Sequence, residues 1–276
     1  MQLTDKYQPK RISDFAGIPR AKAIMSHIVA NPYPSAFLFT GAAGTGKTTL
    51  GLAVASELDA ELHHIPAASC NLDTIQRTCE ACYYAPMFGR GAFHLVLIDE
   101  ADKMTPAAQI ALLSRLDATA FPPQTIFIFT SNSVKGLEPR FLSRCRVIEF
   151  DGAAESVDTA NYLFSVWVKE TGRTVGAPRM ADLVARTAGN IRSALMELEM
   201  EIIMAGSTPK PSAMDLAAAD AIAVTLRNAG IGSDHARLMT VSEWSTVAKL
   251  AGCAPPSKDV IALTLDSIST DLRLAA

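Results

Sequence analysis

Read as a succession of apolar and polar positions, the chain changes rhythm near residue 150. Before that point it holds short, unbroken apolar runs: Ala36-Phe37-Leu38-Phe39, His94-Leu95-Val96-Leu97-Ile98, Ile126-Phe127-Ile128-Phe129 and the briefer Val147-Ile148-Glu149-Phe150. Runs of that length without alternation predict strands covered on both faces, as in a parallel sheet between layers of helix. A further short strand is expected over 61–65. Between the runs, apolar residues recur at helical spacing: Ala23, Ile24, His27 and Ile28; Leu50, Ala53, Val54 and Leu58; a helix over 72–84; and Ile110, Leu112, Leu113 and Leu116. Strands alternating with helices predict an α/β domain. Tyr7 to Ile18, punctuated by Pro9 and Gly17, reads as an irregular arm, and Ala85 to Gly91 as a turn.

Beyond Asp151-Gly152 only helical spacing remains, over 154–171, 178–187, 190–204, 213–228, 241–250 and 260–274, with Asn190 as an N-cap. Gly206 to Pro211 reads as a linker. The expected organisation is an α/β domain at 1–152, a helical lid at 153–206 and a helical C-terminal domain at 207–276.

Chemistry enters where the first strand ends. Gly41-Ala42-Ala43-Gly44-Thr45-Gly46-Lys47-Thr48 fits G-x-x-x-x-G-K-[ST]. In that pattern glycines let backbone N–H groups close round phosphates, the lysine meets the β/γ-phosphates, and the hydroxyl of Thr48 helps hold Mg²⁺. Thr49 and the residues after it continue as a helix whose N-terminus faces the phosphates. The run 94–98 ends in Asp99-Glu100, at the strand end where ligands bind in open α/β sheets. Asp99 is placed to hold Mg²⁺ and Glu100 to polarise the water that attacks a γ-phosphate. Asn132, at the end of the 124–130 strand, is either a partner for that water or phosphate, or a turn residue.

Composition narrows the class. With 49% hydrophobic and 19% charged residues over 276 positions, the chain is globular and long enough for a substantial core. The start lacks an apolar leader and no apolar run reaches membrane-spanning length, which predicts a soluble, cytoplasmic protein without membrane contact. A net charge of −3 supplies no global attraction for nucleic acid, so any polyanion must be met by local patches. Five cysteines, an odd number without a secretion signal, are expected as free thiols. Cys70, Cys79 and Cys82 invite a zinc reading, but position 85 is Ala and the nearby His63 and His64 fall in a strand. The cysteines are expected as small apolar helix residues.

Taken together, these segments resemble AAA+ ATPases, and within them the small ATPase subunits of sliding-clamp loaders, of replication factor C or bacterial type. The resemblance rests on Lys6-Tyr7-Gln8-Pro9 with Asp14-Phe15-Ala16-Gly17, the phosphate loop, Asp99-Glu100-Ala101-Asp102, Ser131-Asn132, Ser143-Arg144-Cys145 and Gly189-Asn190-Ile191-Arg192, in family order across residues 6–200. It implies a P-loop AAA+ core with a central parallel sheet flanked by helices, followed by an all-α lid and a short helical C-terminal domain.

It also implies roles. Tyr7 belongs to the arm over the adenine, and Asn132 is sensor 1. Arg192 is sensor 2, reaching the nucleotide from the lid. Arg144 is a finger that reaches the γ-phosphate held by the neighbouring subunit. ATP and Mg²⁺ are the implied cofactors. The implied partners are other clamp-loader subunits in a homo- or hetero-oligomer, a pentamer in the family, together with a sliding clamp and primer–template DNA. Thr74, Gln76, Arg77 and Lys103 are candidates for the DNA backbone. Position 8 is Gln where the family commonly has Arg, and the tail is shorter than the usual collar. Other readings of the same residues are a helicase loader or branch-migration motor, a protein unfoldase, for which Met87-Phe88-Gly89 comes one helix too late, and a non-hydrolysing ATP-binding scaffold.

Overall fold

The computed structural model describes residues 2–66, 69–86, 91–150, 156–172, 178–207 and 213–274. Met87-Phe88-Gly89, Asp151-Gly152 and most of the expected linker lie outside the described residues. By internal contacts the chain divides into two compact units, Met1–Leu163 with Met180–Glu199, and Phe164–Arg179 with Met200–Ala276.

In the first unit, β1 (Ser35–Gly41), β2 (Glu61–Pro66), β3 (His94–Asp99), β4 (Thr125–Ser131) and β5 (Arg146–Phe150) form one parallel sheet in the order β2-β3-β4-β1-β5. The three unbroken apolar runs are the three interior strands, and nearly every residue in them is buried. At the edges, β2 and β5 alternate more and less exposed positions, as half-covered strands do. Period-two geometry sends Phe37, Phe39, Leu95, Leu97, Ile126 and Ile128 to one face, against Met25, Ile28, Leu50 and Val54. Leu38, Val96, Ile98, Phe127 and Phe129 go to the other, against Ile75, Cys79, Leu112 and Phe141. Each such side chain contributes about 1.5–3 kcal/mol when fully buried.

The helices of this layer are α1 (Leu3–Lys6), α2 (Pro19–Ala30), α3 (Lys47–Glu57), α4 (Leu72–Ala81), α5 (Pro106–Arg115) and α6 (Pro139–Leu142). Helix α4 is capped by Asn71, whose side chain accepts from Thr74 N, and ends earlier than its apolar spacing suggests, at Cys82. The arm is irregular as expected, apart from α1 ahead of it and a single 3₁₀ turn at Ile12–Asp14.

Then come α7 (Ser156–Thr171), α8 (Met180–Arg186) and α9 (Ile191–Ser207). Asn190 does cap α9, accepting from Ser193 N at 3.0 Å. The second unit continues with α10 (Ala213–Asn228), α11 (Ser233–Arg237), α12 (Val241–Leu250) and α13 (Lys258–Leu274). Its core gathers Ile222, Ala223 and Leu226 with Trp244, Ala248, Val260 and Ile268. No described helix is long and apolar enough to cross a membrane.

Candidate functional site

Four segments far apart in sequence meet at the carboxyl ends of β1, β3 and β4. The loop after β1 turns through Gly41, Gly44 and Gly46 at φ of +146°, +75° and +93°, values that L side chains rarely adopt. At Gly41 a Cβ would stand 2.3 Å from the carbonyl oxygen of Phe150 in the neighbouring strand. Gly46 then starts α3, and Thr45 Oγ1 donates to Ala42 O at 2.9 Å, closing the loop.

Lys47 is 7% exposed. Its ammonium donates to Gly41 O at 2.7 Å, Ala42 O at 2.7 Å and Asn132 Oδ1 at 3.1 Å. All three acceptors are neutral. Burial holds the Lys47 pKa below the usual lysine value, while Asp102 and Asp99 pull it the other way. An ammonium removed from water and met only by neutral oxygens is the arrangement that an anion completes.

Thr48 Oγ1 donates to Asp99 Oδ1 at 2.7 Å, so the expected hydroxyl and carboxylate are adjacent. These are hard oxygen donors of the kind Mg²⁺ takes, and the pair fits that ion. Asp99 has two further partners that its motif does not reveal: Thr130 Oγ1 donates to Oδ1 at 3.0 Å, and His64 Nε2 lies 2.5 Å from Oδ2. Pro66 is the register partner of Asp99, so a residue at the carboxyl end of β2 comes within reach.

Glu100 has φ +53°, a left-handed backbone rare for a residue with a side chain. Its N–H donates to Thr130 Oγ1 at 3.1 Å. Its carboxylate accepts from Lys103 Nζ at 2.6 Å, and both groups are exposed. Lys103, a candidate for nucleic acid, is therefore engaged by the residue expected to handle the water. Asp102 orients the neighbouring strand end, accepting from Ser131 Oγ at 3.0 Å and from Asn132 N at 3.3 Å.

Beside the loop lies a cavity of about 370 Å³, lined among others by Tyr7, Pro9, Phe15, Gly44, Thr49 and Arg192. The arm, the loop and the first turn of α9 thus share one recess, half apolar and half polar. Tyr162 Oη donates to the Tyr7 carbonyl at 3.0 Å and ties the arm to α7. Asn190 packs against the loop, since a Cβ on Gly44 would meet its Oδ1 at 2.0 Å.

Arg144 stands outside this group. Among the described residues its guanidinium bonds to Asp117 Oδ2 at 3.3 Å and to the Arg140 carbonyl at 3.1 Å. Of the other nucleic-acid candidates, Gln76 and Arg77 are exposed on α4, with Arg77 paired to Asp73 at 2.9 Å.

Comparison with known proteins gives concordant results. The family described as "ATPase family associated with various cellular activities (AAA)" matches residues 37–152. Replication factor C small subunit 1 of Pyrobaculum aerophilum is 30% identical over 227 residues, covering 80% of this chain and 66% of that protein. The replication factor C small subunit of Methanocella arvoryzae is 28% identical, covering 71% of this chain and 62% of the relative. For replication factor C subunit 4 of Arabidopsis thaliana the figures are 26%, 74% and 63%. The chain spans about two thirds of the length of these relatives. Among solved structures, the Holliday junction branch migration motor RuvB of Thermotoga maritima superposes with a TM-score of 0.57 over 94% of this chain and 90% of its own, at 15% identity, a likeness of fold. The chain is a replication factor C small-subunit-like protein of the AAA+ class.

Proposed function

We propose that the chain is an ATP-hydrolysing subunit of a clamp loader, which couples ATP binding and hydrolysis to placing a sliding clamp on primer–template DNA. The observation that carries the nucleotide part is Lys47, a buried ammonium held by neutral oxygens of its own loop at the N-terminus of α3. The β/γ-phosphates of ATP replace those carbonyls with charged acceptors, which bind an ammonium more strongly. Thr48 and Asp99 hold Mg²⁺, which neutralises phosphate charge. The recess bounded by Tyr7, Phe15 and Arg192 receives the base and sugar.

Glu100 acts as the base toward water, after its carboxylate leaves Lys103, and Asn132 positions that water or the γ-phosphate. Arg144 acts in trans on the nucleotide of a neighbouring subunit, forming a ring with it. This agrees with a guanidinium whose described bonds lie away from its own loop. The clamp-loading part rests on the relatives' names and on Ser143-Arg144-Cys145.

The test is ATP turnover by the assembled protein, measured with and without primed DNA and the host's clamp. Stimulation by the two together is expected. Turnover indifferent to both would remove the clamp-loading assignment while leaving the ATPase in place.

A further inference from the structure

Among the described residues, one group of three side chains with metal-ligating atoms lies within 4.8 Å of one another: His63, Cys82 and His94. Cys70, Cys79 and Cys82, whose spacing invited a zinc reading, are not such a group. His63 is on β2, His94 opens β3, and Cys82 caps the end of α4. Cys82 and His94 are buried, and His63 is half-buried.

The hydrogen bonds fix the chemistry of the central ring. His94 Nε2 lies 2.8 Å from the carbonyl oxygen of Tyr84. A carbonyl only accepts, so Nε2 carries a proton, and the neutral form of the ring presents a bare Nδ1. That Nδ1 is 3.0 Å from His63 Nε2 and 3.8 Å from a carboxylate oxygen of Glu61. A backbone carbonyl gripping the far nitrogen is how metal-binding histidines are oriented. Glu61 and His63, two apart on β2, share a face of that strand, and Glu61 is the register partner of His94.

We propose that His63 Nε2, Cys82 Sγ and His94 Nδ1 bind Zn²⁺ with the carboxylate of Glu61 as fourth ligand. Two imidazoles, a thiolate and a carboxylate form the mixed N, S and O set that zinc accepts in tetrahedral geometry. Bonds of about 2.0–2.3 Å place tetrahedral ligands roughly 3.3–3.8 Å apart, so the two nitrogens, 3.0 Å apart, open slightly and the sulfur, within 4.8 Å of both, closes by about 1.3 Å at most. On binding, the Cys82 thiol gives its proton to solvent as the Zn–S bond forms. His63 moves its proton from Nε2 to Nδ1, and nothing is oxidised or reduced. The site sits at the starting edge of β3, whereas Asp99 ends the same strand about 16 Å away. It would pin the end of α4 to the sheet without entering the nucleotide chemistry.

The test uses the full chain, stripped of metal and held in saturating Mg²⁺, titrated with Zn²⁺ against a chromophoric chelator and separately with Co²⁺. One Zn²⁺ per chain is expected, with a Co²⁺ spectrum of tetrahedral type and a sulfur charge-transfer band that Cys82→Ser abolishes. His63→Gln, on an edge strand and therefore tolerant of change, is expected to weaken Zn²⁺ binding by about tenfold or more. The double change Cys70→Ala and Cys79→Ala is expected to leave one Zn²⁺ per chain. No uptake by the native chain, uptake that survives both His63→Gln and Cys82→Ser, or uptake lost with Cys70 and Cys79 would each overturn the proposal.

Discussion

Glu100 occupies a left-handed backbone with its N–H fixed by Thr130 and its carboxylate on Lys103. Gln has the same shape without the basic oxygen, so Glu100→Gln keeps the backbone anchor and removes the base. Nucleotide affinity is expected to stay within about twofold while phosphate release falls by about 10²-fold or more, the usual contribution of a positioned base. Parallel equilibrium binding and phosphate-release assays check this, and unimpaired release would remove Glu100 from that role. Residues such as Lys47, Thr48, Asp99 and Glu100 were legible because type and spacing together define their chemistry. His64 and Thr130 were not, because they reach Asp99 through strand register, and register is invisible in one dimension. His94 was read as the first residue of an apolar run, and only the fold brings it against His63 and Cys82.

At the scale of the element, unbroken apolar runs announced the three interior strands because both faces of a parallel sheet are covered. The edge strands were shorter signals, and α11 was missed because a five-residue helix between Gly232 and Leu238 has too few turns to show a period. The close approach of β1 and β5 at the phosphate loop has its own test. Gly41→Ala places a Cβ against the Phe150 carbonyl, at a φ of +146°. A backbone carbonyl in a sheet cannot swing aside. The expected loss is about 2–3 kcal/mol, or roughly 4–12 °C in the melting temperature of a unit this size. A melting curve unchanged by Gly41→Ala would mean that β5 yields there.

At the scale of the whole molecule, the site's central residues belong to one compact unit, and only in the proposed ring does a neighbour add a finger. For the proposed ring, Arg144→Ala is expected to reduce ATP turnover by about 10³-fold, the lower range for loss of an arginine finger. Mixing Arg144→Ala chains with Lys47→Ala chains should restore part of it, since the first contributes an intact loop and the second an intact guanidinium. Turnover by the mixture no greater than the sum of its parts would place Arg144 outside the neighbour's pocket. A partner-dependent role of this kind is legible in sequence only by resemblance, because nothing in the spacing of Ser143-Arg144-Cys145 says which molecule the arginine serves.

The clasp between Arg144 and Asp117 bears on that behaviour. It joins two groups that water still reaches, so it is a light restraint of the kind salt loosens readily. In a single chain the guanidinium lies against Asp117 and the Arg140 carbonyl, still open to water. In the proposed ring, the triphosphate of a loaded neighbour carries more negative charge than this single carboxylate and would draw the same cation across. In that ring Asp117 is a berth for the finger and not a lock, because a pair that water reaches holds only weakly.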